Sequence, residues 1–169
     1  MKRISLGLLT LFLLTTWTVF AHHHEMQMWK SLPSQLGLSS SQYASYNLYF
    51  NQMHDELKKD HEKAMNDVRQ VLSTDQFHGL MAEMKTMMKH HKMGHDEMKM
   101  KTDDEVKAMV SEVAKGLLLT ANQEMKLQWI ALTMNHKKIQ LMNTFFSRLN
   151  RILSTSQQAK LAQFKARCE

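Results

Sequence analysis

Hydrophobic positions recur at three- and four-residue steps along most of the chain. Tyr43, Tyr46, Phe50, Met53, Leu57, Ala64, Val68 and Val71 form one stripe, with Asp55, Glu56, Lys58, Lys59, Asp60, Glu62 and Lys63 on the other faces. This predicts a helix from Ser40 of about 30 residues, about 45 Å long. Leu127, Ile130, Met134, Leu141, Phe145, Leu149 and Ile152 predict a second long helix. Shorter stripes fall between and after them. Phe77, Leu80, Met81, Met84, Met87 and Met88 form one that fades in Lys89 to His95, with a break at Gly94. Val106, Met109, Val110 and Val113 form another, ending near Gly116, and Leu161 and Phe164 mark a last helix. Trp29 to Gly37 holds the only proline, Pro33, and reads as a linker or lead-in. No segment alternates with the period of a strand, so the fold class is all-α. The long stripes need burial, as antiparallel hairpins in a cradle-like dimer or as a pseudo-repeat of two hairpins.

The helix boundaries carry a repeated signature. Leu38-Ser39-x-x-Gln42, Leu72-Ser73-x-x-Gln76, Leu119-Thr120-x-x-Gln123 and Leu153-Ser154-x-x-Gln157 all read Leu, hydroxyl, two residues, Gln. Each is a capping box: the hydroxyl accepts from the third helical amide, and the Gln reaches back to the cap's own amide. Within each pair the motifs are 34 residues apart, and the second pair follows the first by 81. That spacing predicts an internal repeat, 38–95 and 119–169, within a helical domain of 38–169. Any one box has capping as its plain physical role. Thr102 to Glu105 is a further box, with Glu in place of Gln.

Composition narrows the function classes. Met1 to Ala21 reads as a secretory signal: Lys2 and Arg3, an apolar run from Leu6 to Leu14, then Val19-Phe20-Ala21 as a cleavage site. The apolar run is short for a membrane span, so export to the periplasm without stable membrane insertion is expected. Residues 22–37 would then be a His/Met-containing N-terminal tail. Without Lys2 and Arg3 the chain has 20 basic against 16 acidic residues, interleaved, which argues against nucleic acid. The lone cysteine, Cys168, cannot form an internal disulfide. No nucleophile–base set and no Gly-rich phosphate loop stands out, so catalytic residues are none and an enzyme is not expected.

The chemistry that does stand out is soft-metal ligation. Met88, His90, His91, Met93, His95 and Met98 crowd into a short span, with thioether and imidazole three residues apart at Met88/His91, His90/Met93 and His95/Met98. Thioether suits Cu(I), and imidazole suits copper or zinc. The bland alternative is a solvated His-rich loop, and for Met81 and Met84 it is core packing. His22, His23 and His24 form a second candidate. Cleavage after Ala21 would make His24 the third residue, where amine, amides and imidazole form the square-planar set Cu(II) prefers. His54 and His61 share a helix face with acidic neighbours, a pattern solvated histidines also give.

The Leu-Ser/Thr-x-x-Gln motifs on an exported, Met-rich helical chain resemble the Spy/CpxP family of periplasmic stress proteins. Met134-Asn135-His136-Lys137-Lys138 leading to Asn150 through Gln157 is the closest stretch, and the likeness covers roughly residues 38 to 167. The resemblance implies a small antiparallel helical homodimer with a concave surface. It also implies partners that are either unfolded or misfolded periplasmic proteins, held without ATP, or the periplasmic domain of a sensor kinase. Related metal-resistance proteins imply copper or zinc as a cofactor. This chain has Ser for Thr in three motifs and two motifs more than the usual pair.

Overall fold

The two long stripes bury against each other within one chain. The computed structural model describes the backbone of residues 22–90 and 100–166, and the side chains of 29–85 and 100–166. Among these residues all regular structure is helical: α1 His22–Leu36, α2 Ser40–Val71, α3 Thr74–His90, α4 Asp103–Gly116, α5 Ala121–Asn150 and α6 Thr155–Ala166. α2 and α5 run antiparallel along their whole length, with Gln42 bonded to Gln157 at one end, Gln52 to Arg148 further in, and Gln76 to Gln123 at the other end. None of the described helices is long and apolar enough to cross a membrane.

Two cores lie along this pair, one at each end. The first joins Trp29, Leu32 and Leu36 of α1, Tyr46, Met53 and Leu57 of α2, Phe145, Phe146 and Leu149 of α5, and Leu161 and Phe164 of α6. The second joins Val68 of α2, Leu80 and Met84 of α3, Val106, Val110 and Val113 of α4, and Leu127, Ile130 and Met134 of α5. Burial of each such side chain contributes about 1.5–3 kcal/mol, so each end has its own apolar anchor. Gly79 of α3 allows close packing in the second core, because a Cβ there would meet Leu117 Cδ2 at 3.0 Å.

The linker expected at Trp29 to Gly37 is instead part of α1, and it is core. Trp29 is buried, meeting Phe145 and Phe164 edge-on at ring-centroid distances of 5.5 and 5.4 Å. Pro33 sits inside this helix. It has no N–H to give to the carbonyl four residues back, that of Trp29. The Tyr46 hydroxyl of α2 fills the gap, donating to the Trp29 carbonyl at 2.6 Å. Burial, with Tyr43 adding a little, pushes the Tyr46 phenol well above its ordinary pKa and keeps it a donor. Gly37 then ends the helix at φ 65 in a Schellman turn, with Gly37 N donating to Ser34 O and Leu38 N to Pro33 O, both at 3.1 Å.

The 81-residue repeat is a repeat of three helices, α1–α2–α3 recurring as α4–α5–α6. Buried positions coincide under that shift: Tyr46 with Leu127, Met53 with Met134, Ala64 with Phe145, Val68 with Leu149, Leu72 with Leu153, Leu80 with Leu161. The turn that ends α1 recurs at the end of α4, where Leu118 N donates to Lys115 O and Leu119 N to Ala114 O. Leu118 stands where Gly37 stands and carries the same left-handed backbone, φ 53. The repeat holds for element order, caps and the antiparallel α2–α5 pair, but the first helices of the two units pack differently: α4 lies along α5, whereas α1 meets α6.

Candidate functional site

The four Leu-Ser/Thr-x-x-Gln motifs meet in two pairs. Each Gln reaches back to its cap amide: Ser39 N donates to Gln42 Oε1 at 2.9 Å, Ser73 N to Gln76 Oε1 at 3.0 Å, Thr120 N to Gln123 Oε1 at 3.0 Å and Ser154 N to Gln157 Oε1 at 2.9 Å. The hydroxyls of Ser39, Ser73 and Thr120 complete the box by accepting from the third amide, while that of Ser154 donates to Gln157 Oε1 at 3.1 Å. The Gln amides then reach a second motif. Gln42 Nε2 donates to Gln157 Oε1 at 3.0 Å and Gln157 Nε2 returns the bond at 3.2 Å. At the far end Gln123 Nε2 donates to Gln76 Oε1 at 2.8 Å, and Gln76 Nε2 to Gln123 Oε1 at 3.4 Å. Three amides also satisfy a carbonyl just ahead of the opposite motif: Gln42 to Ile152 O at 2.7 Å, Gln157 to Gly37 O at 2.9 Å, Gln123 to Val71 O at 3.1 Å.

Each Gln therefore caps its own helix and clasps the opposite turn. Leu72 and Leu153 are buried in the cores at these ends, and Leu38 and Leu119 pack against them. Sequence reasoning reached the boxes and missed the clasps, because the partner of each motif lies 115 or 47 residues away. The signal was in the residue type. Thr102 to Glu105 forms a box with Glu105 Oε2 accepting from Thr102 N at 2.7 Å, and a Glu serves there as well as a Gln. At neutral pH an amide, which donates and accepts at once, can make the reciprocal pair, and a carboxylate, which only accepts, cannot.

The metal-ligand candidates are placed less fully. The backbone of His22, His23 and His24 opens α1, and that of Met88 and His90 closes α3; their side chains lie outside the described residues, as do His91, Met93, His95 and Met98 altogether. Two residues before the tract are placed: Met84 is fully buried in the second core, and Met81 is exposed on the same helix. On the far side, Met100 packs against the first core. Lys101 O then accepts from Asn135 Nδ2 at 2.9 Å, and Asn135 is the buried polar residue of α5. Asp103, at the start of α4, has its Oδ1 2.7 Å from His136 Nε2. The chain leaving the tract is thus tied to the middle of α5.

Other histidines divide by environment. His136 is exposed, with a carboxylate partner. His61 is half-buried, with Nδ1 out of reach of water and without a hydrogen-bond partner, and burial holds its pKa below the ordinary value while Glu62 pulls it back. His54 lies beside Phe50, with ring centroids 6.2 Å apart. Among the described residues no three His, Cys, Asp or Glu side chains converge. Asp103 and His136 supply two adjacent oxygen and nitrogen donors at the exit of the tract, one ligand short of the three that a catalytic zinc site uses. Compared with known families and proteins, the chain matches no family model, no curated protein and no solved structure.

Proposed function

We propose that this is a periplasmic envelope-stress protein resembling Spy/CpxP, either an ATP-independent chaperone or a modulator of stress signalling, with a His/Met-rich tract that binds copper or zinc. The observation that carries the reading is the paired set of Leu-Ser/Thr-x-x-Gln motifs. The residues that carry the family resemblance are the ones that close both ends of the α2–α5 pair. Exposed Tyr43, Leu48, Met125 and Trp129 on the outside of that pair support a role in holding other chains. Met-rich and aromatic surfaces suit promiscuous binding.

The density of soft ligands from Met88 to Met98 favours a second reading: a copper, silver or zinc binding and resistance protein in which the helices are scaffold. Replacing His90, His91 and His95 with Ala and Met93 with Leu separates the two. Under the second reading stoichiometric Cu(I) uptake is abolished and metal tolerance falls with it. Under the first, suppression of aggregation of a reduced model client is nearly unchanged. Unaltered copper binding by the substituted protein rules out this tract as the site.

A further inference from the structure

The described methionines sort sharply by access to solvent. Met53, Met84, Met109, Met134 and Met142 are buried. Met125, near the start of α5, is 62% exposed, and Met81 of α3 is 37% exposed. Folding gains little from a thioether that stays in water. Met125 also has particular company. Leu118, Met125 and Trp129 are the three most exposed large apolar side chains among the described residues, at 85%, 62% and 64%. Leu118 lies in the turn that leads into α5, and Met125 and Trp129 are four residues apart on one face of that helix.

A leucine or phenylalanine in that place would keep the surface apolar for good. A methionine makes it conditional, because a mild two-electron oxidation turns the thioether into a polar sulfoxide. The co-reactant is a hydroperoxide. With hydrogen peroxide, a lone pair of Met125 Sδ attacks one oxygen and the O–O bond breaks. The sulfur gives up two electrons in forming the S–O bond. The other oxygen leaves as hydroxide, takes the proton of the transferred oxygen and departs as water. Sulfurs in the cores react only as fast as the fold opens, so the surface changes while the cores stay intact.

We propose that Met125 is an oxidation site through which hydroperoxide switches off the apolar surface it shares with Trp129. The regulatory consequence rests on the reading of this surface as one that holds other chains; the modification itself does not. Neither depends on metal binding by the His/Met tract.

The test treats the full chain with hydrogen peroxide, removes the peroxide and follows each methionine by peptide mass mapping. Met125 should oxidise at least about tenfold faster than Met53, Met84, Met109, Met134 and Met142. Two further readouts follow the surface: fluorescence of an apolar dye, and suppression of aggregation of a reduced model client. Both should weaken about threefold or more when the parent is oxidised. Met125→Leu keeps the patch and removes the sulfur, so it should retain both after the same treatment; oxidation of other methionines is common to the two proteins. Met125→Gln should be weak in both before any peroxide is added. Met125 reacting no faster than the buried five overturns the inference, and so does an oxidised parent that matches oxidised Met125→Leu in dye binding. An unoxidised parent that never holds the client sinks the chaperone reading alone, and the mapping and dye readouts still decide the inference.

Discussion

Gln42→Glu distinguishes a clasp from a cap. As a capping residue Glu is as good as Gln, since either carboxyl or amide oxygen accepts from Ser39 N. As a clasp it fails. Gln42 Nε2 donates to Ile152 O at 2.7 Å and to Gln157 Oε1 at 3.0 Å, and a carboxylate can donate to neither. Two part-buried bonds at about 1 kcal/mol each are lost, and a negative charge is set against two acceptor oxygens. The expected cost is about 2–4 kcal/mol at neutral pH, read as a fall in the urea midpoint at constant m-value. The new carboxyl faces acceptors, so its folded pKa is raised above the unfolded value of about 4.3. The missing stability therefore returns as pH falls toward that value, when the protonated acid donates again. Glu105→Gln is the control: its box is not one of the four Leu-Ser/Thr-x-x-Gln motifs, and Gln keeps the acceptor for Thr102 N, so it should cost less than Gln42→Glu and show no recovery at low pH. A Gln42→Glu variant as stable as its parent, or one equally affected at pH 4.5 and 7.5, would refute the clasp.

Other consequences follow from single contacts. Leu118→Gly relieves left-handed strain of about 1–2 kcal/mol and gives back about 0.5–1 kcal/mol in chain entropy. Leu118 is 85% exposed and loses little packing. Tm should therefore rise by about 1–4 °C, whereas Gly37→Ala should lower it, although nothing lies within 4 Å of the added Cβ. Tyr46→Phe should cost about 1–2 kcal/mol by stranding the Trp29 carbonyl. In a Pro33→Ala background, where the helix supplies its own donor, a denaturation double-mutant cycle should show the cost falling by at least half. Burial lowers the pKa of His61, so the fold prefers it neutral. Its contribution is intact above the unfolded value of about 6.5 and is lost as pH falls through that value toward the lower folded one. His61→Met, which copies the equivalent Met142, should flatten the urea midpoint between about pH 7 and pH 5; an unchanged slope would show that other groups set it.

Local signals in the chain were legible, and long-range ones were not. The starts of α2, α3, α4, α5 and α6 all follow the boxes that sequence reading marked, because a cap and its third residue are neighbours in sequence. α1 was hidden because Pro33 and Gly37 are breakers by local rules. The donor that replaces the Pro33 N–H comes from Tyr46 on another helix, which periodicity cannot reveal. The pairing of motifs was hidden for the same reason, although the 34- and 81-residue spacings already contained the register. Sequence reading left Met84 between core filler and metal ligand, and its burial at 1% exposure makes it core. His61 sits where the apolar stripe of α2 lapses between Leu57 and Ala64, a half-buried setting that its charged neighbours Asp60 and Glu62 masked.

The functional proposal rests on a helical scaffold closed by glutamine clasps, and on the His/Met tract that falls in the sequence from Met88 to Met98. Native mass spectrometry of the protein purified from the periplasm, with and without Cu(I), Cu(II) and Zn(II), tests it most directly. The account predicts a chain beginning at His22 that takes up a small whole number of copper ions and loses that uptake when His90, His91, Met93 and His95 are replaced. A chain that takes up no defined number of metal ions, or takes them up equally after the replacement, would contradict it.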